Sequence, residues 1–230
     1  MAKGNHRLAP NGNTWAILDA NVMIPPRLSD ILFDMFLEGF YLPRWTKEVE
    51  IEFLRNFPIV IFGKTKAERK KIAASAPDPV HVAAATNRLQ AFRNAAGPEY
   101  EVLLHDQKEF TDQVPKDVHA DDIHVVSAAL VVLDRYASAN PNDRVYIVSD
   151  NLAHLAAANV QALGVTVVPP GQFIDLVFAA AGPAAMQLAL DRTINDLITP
   201  PFTRAKLLRC LTTHGAINTT KYYSGKWKVG

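Results

Sequence analysis

Hydrophobic residues along the chain alternate between short continuous runs and stripes with helical spacing. Three runs have the length and apolar character of buried strands, and they predict strands at residues 15–18, 145–148 and 165–168. Residues 101–104 predict a further strand, and residues 41–43 predict a brief extended connection. Short apolar strands separated by helices are typical of a parallel sheet that is covered on both faces.

Helices are predicted where apolar residues recur every three or four positions. The first follows Pro25 and Pro26 and is stopped by Gly39. The second begins at Thr46, a residue suited to cap a helix, and is expected to close by Pro58. The later helices are predicted within 64–98 (one or two), across 123–136, after 151, from about 172, and as a pair within 184–212.

These elements predict one α/β domain followed by an all-α appendage. We expect the domain to span residues 14–182, with a helical insertion at about 64–98, because strands and helices alternate through this length. A helical extension is expected over 183–213. The two ends, 1–13 and 214–230, are expected to be mobile, and the second of them is a basic tail.

Composition favours a globular protein of the cytoplasm. The chain has 230 residues, of which 49% are hydrophobic and 20% charged, which is typical of a folded domain. No apolar run reaches the roughly 18 residues that a membrane span requires, and the N-terminal segment lacks the apolar stretch of a secretory signal. Cys210 is the single cysteine, so it forms no internal disulfide, and we interpret it as a packed residue rather than a nucleophile.

Charge gives little indication of a partner. The net charge of +1 is not that of a strongly basic nucleic-acid-binding protein. Basic residues are concentrated in residues 64–71 and again in the C-terminal tail, where Lys221, Lys226 and Lys228 alternate with aromatic residues. The ordinary interpretation of such runs is a solvated face, and the functional alternative is contact with phosphates of RNA or DNA.

Several acidic residues stand where an open parallel sheet forms its active site. Asp19 directly follows the first predicted strand, and Ser149, Asp150 and Asn151 follow another. Ligands of such folds bind outside the carboxyl ends of the strands. Asp122 opens the apolar helix predicted at 123–136. Each residue also has a plain structural explanation, since an Asp at these places often caps a turn or a helix.

The second helix offers a further carboxylate. Val49 and Phe53 mark its buried stripe, and Glu52 lies roughly 60° from Val49 around the helix axis. Glu48 and Glu50 lie roughly 100° away on either side, where acids of a first turn favour the helix dipole. Glu52 is therefore expected nearest the protein-facing edge, where a carboxylate needs a cation or a donor to offset its desolvation.

Four motifs in order resemble those of PIN domains, and most closely those of the VapC-like toxin branch. The resemblance covers about residues 15–180. Its motifs are Leu18-Asp-Ala-Asn-Val22, Pro43-Arg-Trp-Thr46 followed by Val49-Glu-Ile-Glu-Phe53, Asp121-Asp-Ile-His-Val125, and Val148-Ser-Asp-Asn-Leu152.

The resemblance implies a three-layer α/β/α fold and a metal site. Its acidic residues would be Asp19, Glu52 and Asp122, binding Mg²⁺, for which Mn²⁺ can substitute. Asn151 occupies the fourth position of the site, and its neighbour Asp150 is the alternative. The residues implied on the substrate side or around the ligands are Asn21, Arg44, His124 and Ser149; for His124 the alternative role is to orient Asp122. The chain departs from the family pattern at Ser149, at Asp150 and at His154, where an acid is frequent.

The implied activity is hydrolysis of RNA phosphodiester bonds to a 5′-phosphate and a 3′-hydroxyl. Toxins of this branch are neutralised by an antitoxin protein and often form homodimers. The alternative is a degenerate PIN module that binds RNA or a protein partner without cutting it. The sequence contains no glycine-rich dinucleotide or nucleotide-binding loop and no Cys or His cluster with zinc spacing.

Overall fold

An all-parallel sheet of four strands forms the centre of the protein in the residues described by the computed structural model, namely 12–137, 140–196 and 201–228. Its strands are β1 (Thr14–Leu18), β2 (Leu42–Arg44), β3 (Arg144–Val148) and β4 (Val165–Val168). Their spatial order is β2-β1-β3-β4. The predicted α/β class, the parallel sheet and three of the predicted strands are confirmed.

Helices surround this sheet in a way consistent with a three-layer α/β/α fold. The α-helices of the described residues are α1 (Ala20–Met23), α2 (Pro26–Leu37), α3 (Lys47–Phe62), α4 (Lys66–Ala74), α5 (Pro79–Ala96), α6 (Lys108–Thr111), α7 (Ile123–Val132), α8 (Ala157–Gln161), α9 (Pro170–Ala181), α10 (Pro183–Asp196), α11 (Arg204–Thr213) and α12 (Ile217–Trp227). Short 3-10 helices span Pro98–Tyr100, Ala120–Asp122 and Leu152–Leu155, and a π-helix, Leu133–Ala137, extends α7. None of the helices in this part of the chain combines the length and apolar character needed to cross a membrane.

The path of the chain creates a switch point between β1 and β3. From the inner strand β1 the chain moves to β2 on one side, and only later returns to β3 on the other. Leu18 pairs with Val148 at the carboxyl ends of these strands, and the backbone N–H of Asp19 donates to the Val148 carbonyl at 3.2 Å. Residues that follow β1 and β3 are therefore neighbours, as ligand-binding residues of such sheets are.

At the edge of the sheet, one predicted strand is absent and a predicted connection forms a strand instead. Residues 101–104, expected as a strand, form only an isolated bridge between Glu101 and Trp45, and Leu104 leaves the extended region with a φ of +69°. The brief connection expected at 41–43 contains most of β2 instead. Pro43 argued against a strand here, because proline has no N–H to donate to a sheet. An edge strand such as β2 tolerates it.

Two helix boundaries also differ from the predicted ones. Helix α3 continues through Pro58 to Phe62, where Ile61 and Phe62 pack against the core. Helix α9 begins at Pro170 rather than near Gln172, and proline suits a first helical position because no hydrogen bond is required of its nitrogen there. Apolar packing thus extends α3 past a residue that usually ends a helix.

The helical insertion expected at 64–98 is half core and half surface. In α5, Ala85, Leu89 and Phe92 are buried, and the Phe92 ring stacks on Phe33 of α2 at 4.2 Å between centroids. Helix α4 has no buried residue and carries the basic run 64–71 on its exposed surface. The insertion is therefore anchored by its second helix.

The C-terminal segment packs back onto the domain. Residues 214–230 were expected to be a mobile tail, yet α12 forms there and its Tyr223 is fully buried, donating to the Pro183 carbonyl at 2.5 Å. The aromatic residues that alternate with lysines in this segment supply the apolar face of α12. The basic charge of the segment gave no indication of this face. The expected mobile N-terminus, 1–13, lies outside the described residues except for its last two positions.

Candidate metal centre

Asp19 is held at the carboxyl end of β1 by two neighbouring side chains. It is 3% exposed, and its Oδ2 accepts hydrogen bonds from Asn21 Nδ2 at 2.7 Å and from Ser149 Oγ at 2.6 Å. In the described part of the chain both side-chain bonds fall on the same oxygen. The other oxygen, Oδ1, is left to meet a cation or a donor from outside.

The loop after β3 is fixed to the same network. Besides donating to Asp19, Ser149 Oγ accepts from Asn21 Nδ2 at 3.0 Å and from the backbone N–H of Asn151 at 2.9 Å. The side-chain oxygen of Asn21, Oδ1, accepts from the backbone N–H of Asp150 at 3.0 Å. Asn21 and Ser149 therefore orient Asp19 and tie the turn that carries Asp150 and Asn151 to the end of β1.

The glutamates of α3 divide differently from the helical-wheel expectation. Glu50, rather than Glu52, is the most buried of them at 5% exposure, and it is ion-paired to Arg93 of α5. Burial alone raises its pKa, but hydrogen bonds from Arg93 and Trp45 hold the pKa of Glu50 below its usual range. The wheel misplaced Glu50 because α5 covers a second face of α3 that the Val49 stripe does not reveal.

Glu52 is half-buried and faces the other acids. Its one hydrogen bond in the described residues comes from Asn56 Nδ2 at 3.3 Å, one turn along the same helix. Burial raises the pKa of the Glu52 carboxyl, the charge of Asp19 raises it further, Arg55 offsets part of this, and Asp122 adds to it. Glu52 is therefore close enough to both aspartates for their charges to repel its own.

Asp122 lies between the 3-10 helix Ala120–Asp122 and α7. It is 7% exposed, and its Oδ2 is buried without a hydrogen-bond partner among the described residues. Burial raises the pKa of the Asp122 carboxyl and Asp19 raises it further, whereas His154, His124 and His119 lower it. Asp122 thus adds a third carboxylate within electrostatic range of the first two.

The charges of Asp19, Glu52 and Asp122, which we name the carboxylate cluster, act on one another from three separate elements. Their oxygens do not all lie within 4.8 Å of one another. No Lys or Arg in the described residues forms an ion pair with any of them. Clustered acids without a basic partner repel one another and favour protonation or a bound cation. A divalent ion with oxygen ligands would offset this repulsion.

The remaining residues named from the sequence lie at different distances from the cluster. His124 is at its edge, where burial lowers the pKa of the imidazole and Nε2 is buried without a hydrogen bond. Asp150 is exposed, and the Asn151 amide meets His154 Nδ1 at 2.8 Å. Arg44 is not brought to the cluster: it is buried with its guanidinium 4.9 Å from the Trp15 ring centre and 3.6 Å from Glu99.

Two histidines beside Asp122 were not assigned a role from the sequence. His119, Asp122 and His154, which we name the His-Asp-His trio, each offer a ligand atom within 4.8 Å of the others. His119 and Asp122 are three residues apart, a spacing that places both at one short turn, but His154 is 32 positions farther on. Only the fold reveals that these three side chains meet.

Comparisons with known proteins leave this site to be interpreted on its own geometry. The chain matches no protein-family model, no curated protein and no solved structure.

Proposed function

We propose that the protein is a metal-dependent endoribonuclease of PIN type whose active site is the carboxylate cluster. The observation that carries this proposal is that Asp19, at the switch point of a parallel sheet, lies within electrostatic range of Glu52 and Asp122, and that no Lys or Arg of the described residues forms an ion pair with any of the three. Acids whose repulsion is only partly offset are unfavourable for folding alone, and a bound cation would compensate their charge.

The side chains fit a hard divalent cation. Mg²⁺ and Mn²⁺ prefer carboxylate oxygens, and the buried Oδ2 of Asp122 has no hydrogen-bond partner in the described part of the chain. Asp19, Glu52 and Asp122 would hold the ion. When bound, such an ion lowers the pKa of a coordinated water and offsets charge on the phosphodiester.

Neighbouring side chains prepare the cluster for this task. Asn21 and Ser149 fix the orientation of Asp19, so its free oxygen is presented without rearrangement. We assign the fourth ligand position to Asp150, because its carboxylate accepts no hydrogen bond in the described residues and lies close enough to Asp19 for that charge to raise its pKa. Preorganisation of this kind is what positions a reacting group without further cost.

The sequence resemblance extends the proposal to a biological role. Resemblance to the VapC-like branch supports a toxin that cleaves RNA in the cytoplasm, is neutralised by an antitoxin protein and forms a homodimer. The exposed basic surface of α4 suits contact with phosphates, which favours RNA binding without reading its sequence. The hydrolysis proposed leaves a 5′-phosphate and a 3′-hydroxyl.

Cleavage of end-labelled RNA by the purified protein tests the proposal. With Mn²⁺ present, we expect Asp19→Asn to lower the cleavage rate by at least about a hundredfold, since loss of one electrostatic contact to the reacting group typically costs that much. Asp19→Asn keeps the size of the side chain and can still accept from Ser149, so the fold is retained.

Glu109→Gln is the matched control for this experiment. Glu109 is exposed, pairs with Arg135 and lies on α6, against the far end of α7 from Asp122. The Glu109→Gln protein should cleave RNA at the wild-type rate. Equal activity of Asp19→Asn and Glu109→Gln would overturn the assignment, and a wild type that neither cleaves RNA nor binds Mn²⁺ through these carboxylates would favour the degenerate, RNA-binding alternative.

A further inference from the structure

Two direct contacts hold His119 and His154 of the His-Asp-His trio together. The backbone N–H of His119 donates to the His154 carbonyl at 2.8 Å, which joins the loop before α7 to the turn after β3. The two imidazole rings stack with centroids 4.6 Å apart and an angle of 22° between their planes. Both rings therefore stand side by side at one edge of Asp122.

The distance between Asp122 and His154 suits a shared ion better than a hydrogen bond. His154 Nδ1 lies 3.4 Å from Asp122 Oδ2. A charge-assisted N–H···O bond is shorter, at about 2.7–2.9 Å. Two ligand atoms bound to one tetrahedral ion at about 2.0–2.1 Å are separated by roughly 3.3 Å. The observed separation matches this second case, in which the ion would replace the Asn151 amide that meets His154 Nδ1 at 2.8 Å.

A second, independent observation is the state of the Asp122 oxygen itself. Oδ2 is buried, the side chain is 7% exposed, and the atom has no hydrogen bond among the residues that the structure describes. A buried acceptor without a partner is costly, so buried polar atoms in native proteins are nearly always satisfied. A ligand at the trio would satisfy this oxygen.

The remaining ligand can reach the same point by a small movement. His119 is half exposed, and a shift of its ring would close the separations of up to 4.8 Å within the trio. Its Nδ1 accepts from the backbone N–H of Asp121 at 3.3 Å, which leaves Nε2 to bind an ion. A hydrogen bond to the other ring nitrogen commonly orients metal-binding histidines in this way.

We propose that His119, Asp122 and His154 form a binding site for a divalent transition metal such as Zn²⁺ or Co²⁺. Two imidazoles and one carboxylate select these ions over Mg²⁺, which takes oxygen ligands and releases its waters reluctantly. Three protein ligands leave one coordination position open to water or to a ligand. The trio shares Asp122 with the carboxylate cluster, yet its metal binding holds whether or not the cluster cleaves RNA.

Titration of the full-length protein with Co²⁺ tests this proposal, because bound Co²⁺ absorbs visible light with a band that reports nitrogen ligands and low coordination number. We expect wild type to bind one Co²⁺ with such a band, displaced by Zn²⁺ and unaffected by Mg²⁺. His119→Ala and His154→Ala should each weaken binding by more than about tenfold, the loss that even an outer-sphere partner causes.

Two further variants make the outcome specific. His81→Ala removes a histidine of α5 that stacks on Phe62, and it should bind Co²⁺ as wild type does. Asp19→Asn disables the carboxylate cluster but leaves the trio intact, so it should retain the band even though RNA cleavage is lost. Unfolding of each variant by heat, followed by circular dichroism without metal, identifies variants that fail to fold.

Binding of Co²⁺ by His119→Ala and His154→Ala with wild-type affinity would overturn the proposal. Loss of the band in Asp19→Asn alone would overturn it as well, because the ion would then reside on the carboxylates. Failure of wild type to cleave RNA would reject the nuclease proposal and leave the metal-binding result unaffected.

Discussion

At the residue scale, a proton and a metal ion compete for the same carboxylate oxygens of the cluster. Burial and the neighbouring acids raise the pKa of both Glu52 and Asp122 above the usual range. In each case the folded protein favours the protonated form more than the unfolded chain does, and a metal ion can bind only after the proton leaves. Proton release and metal binding are therefore linked at the level of these two side chains.

Affinity for Mn²⁺ should consequently depend on pH at values where ordinary carboxyl groups are already ionised. We expect the affinity of wild type to rise as pH increases through the raised pKa values of Glu52 and Asp122, because the deprotonated forms are the ligands. Isothermal titration calorimetry between about pH 5 and about pH 8, a range above the usual carboxyl pKa, measures this dependence. Glu52→Gln should bind more weakly and with a shallower pH profile. An affinity for wild type that does not change over this range would contradict the linkage.

Burial also raises the pKa of a carboxyl group at the contact between helices α2 and α10, away from the site. Asp34 of α2 is buried against α10, where Thr193 Oγ1 donates to its Oδ2 at 2.6 Å. Burial raises the pKa of the Asp34 carboxyl to about 7, the Thr193 bond lowers it in part, and Asp196 and Asp30 raise it. The contact between α2 and α10 is therefore most favourable when this carboxyl is protonated.

The stability of the protein should accordingly fall as pH rises from about 4 to about 7 through this group. The folded-state pKa lies above the unfolded one, so the stabilisation is complete below the unfolded value and is lost on ionisation. Asp34→Asn should remove this part of the pH dependence, worth a few kcal/mol at about 1.4 kcal/mol for each unit of pKa. Urea unfolding at several pH values measures it.

Asp106→Asn, an exposed loop substitution, is the control for Asp34→Asn and should follow wild type. An identical pH dependence of unfolding for Asp34→Asn and wild type would show that Asp34 is ionised in the folded protein.

At the scale of the whole molecule, the turn between the C-terminal helices α11 and α12 packs against α9. The turn between α11 and α12 lies so close to the first turn of α9 that a Cβ built on Gly171 would lie 2.0 Å from the His214 carbonyl oxygen. His214 in turn influences the charge of Asp150. The segment that the sequence indicated as a tail thus lies near enough to the proposed fourth ligand for His214 to lower the pKa of Asp150.

Gly171→Ala should force this turn away from α9 and destabilise the protein by about 1–3 kcal/mol, the usual cost of overpacking. Gly225→Ala is the matched control, since Gly225 lies in α12 with no atom within 4 Å of its added Cβ. Alanine favours a helix over glycine, so this control should keep or raise the melting temperature. Thermal unfolding of both variants decides the matter, and a Gly171→Ala protein as stable as wild type would show that the turn is free to move.

Local pattern in the sequence was sufficient to predict β1, β3 and β4, most of the helices and the positions of Asp19 and Asp122. These features depend on apolar periodicity and on the rule that ligands gather at the carboxyl ends of parallel strands, both of which are written in neighbouring residues. Tertiary structure alone decided that Pro43 lies in an edge strand, that Glu50 is covered by α5, and that Tyr223 is buried. It also decided that His119 meets His154. Each of these depends on a partner distant in the chain, whose surface removes water or supplies a charge that local spacing does not reveal.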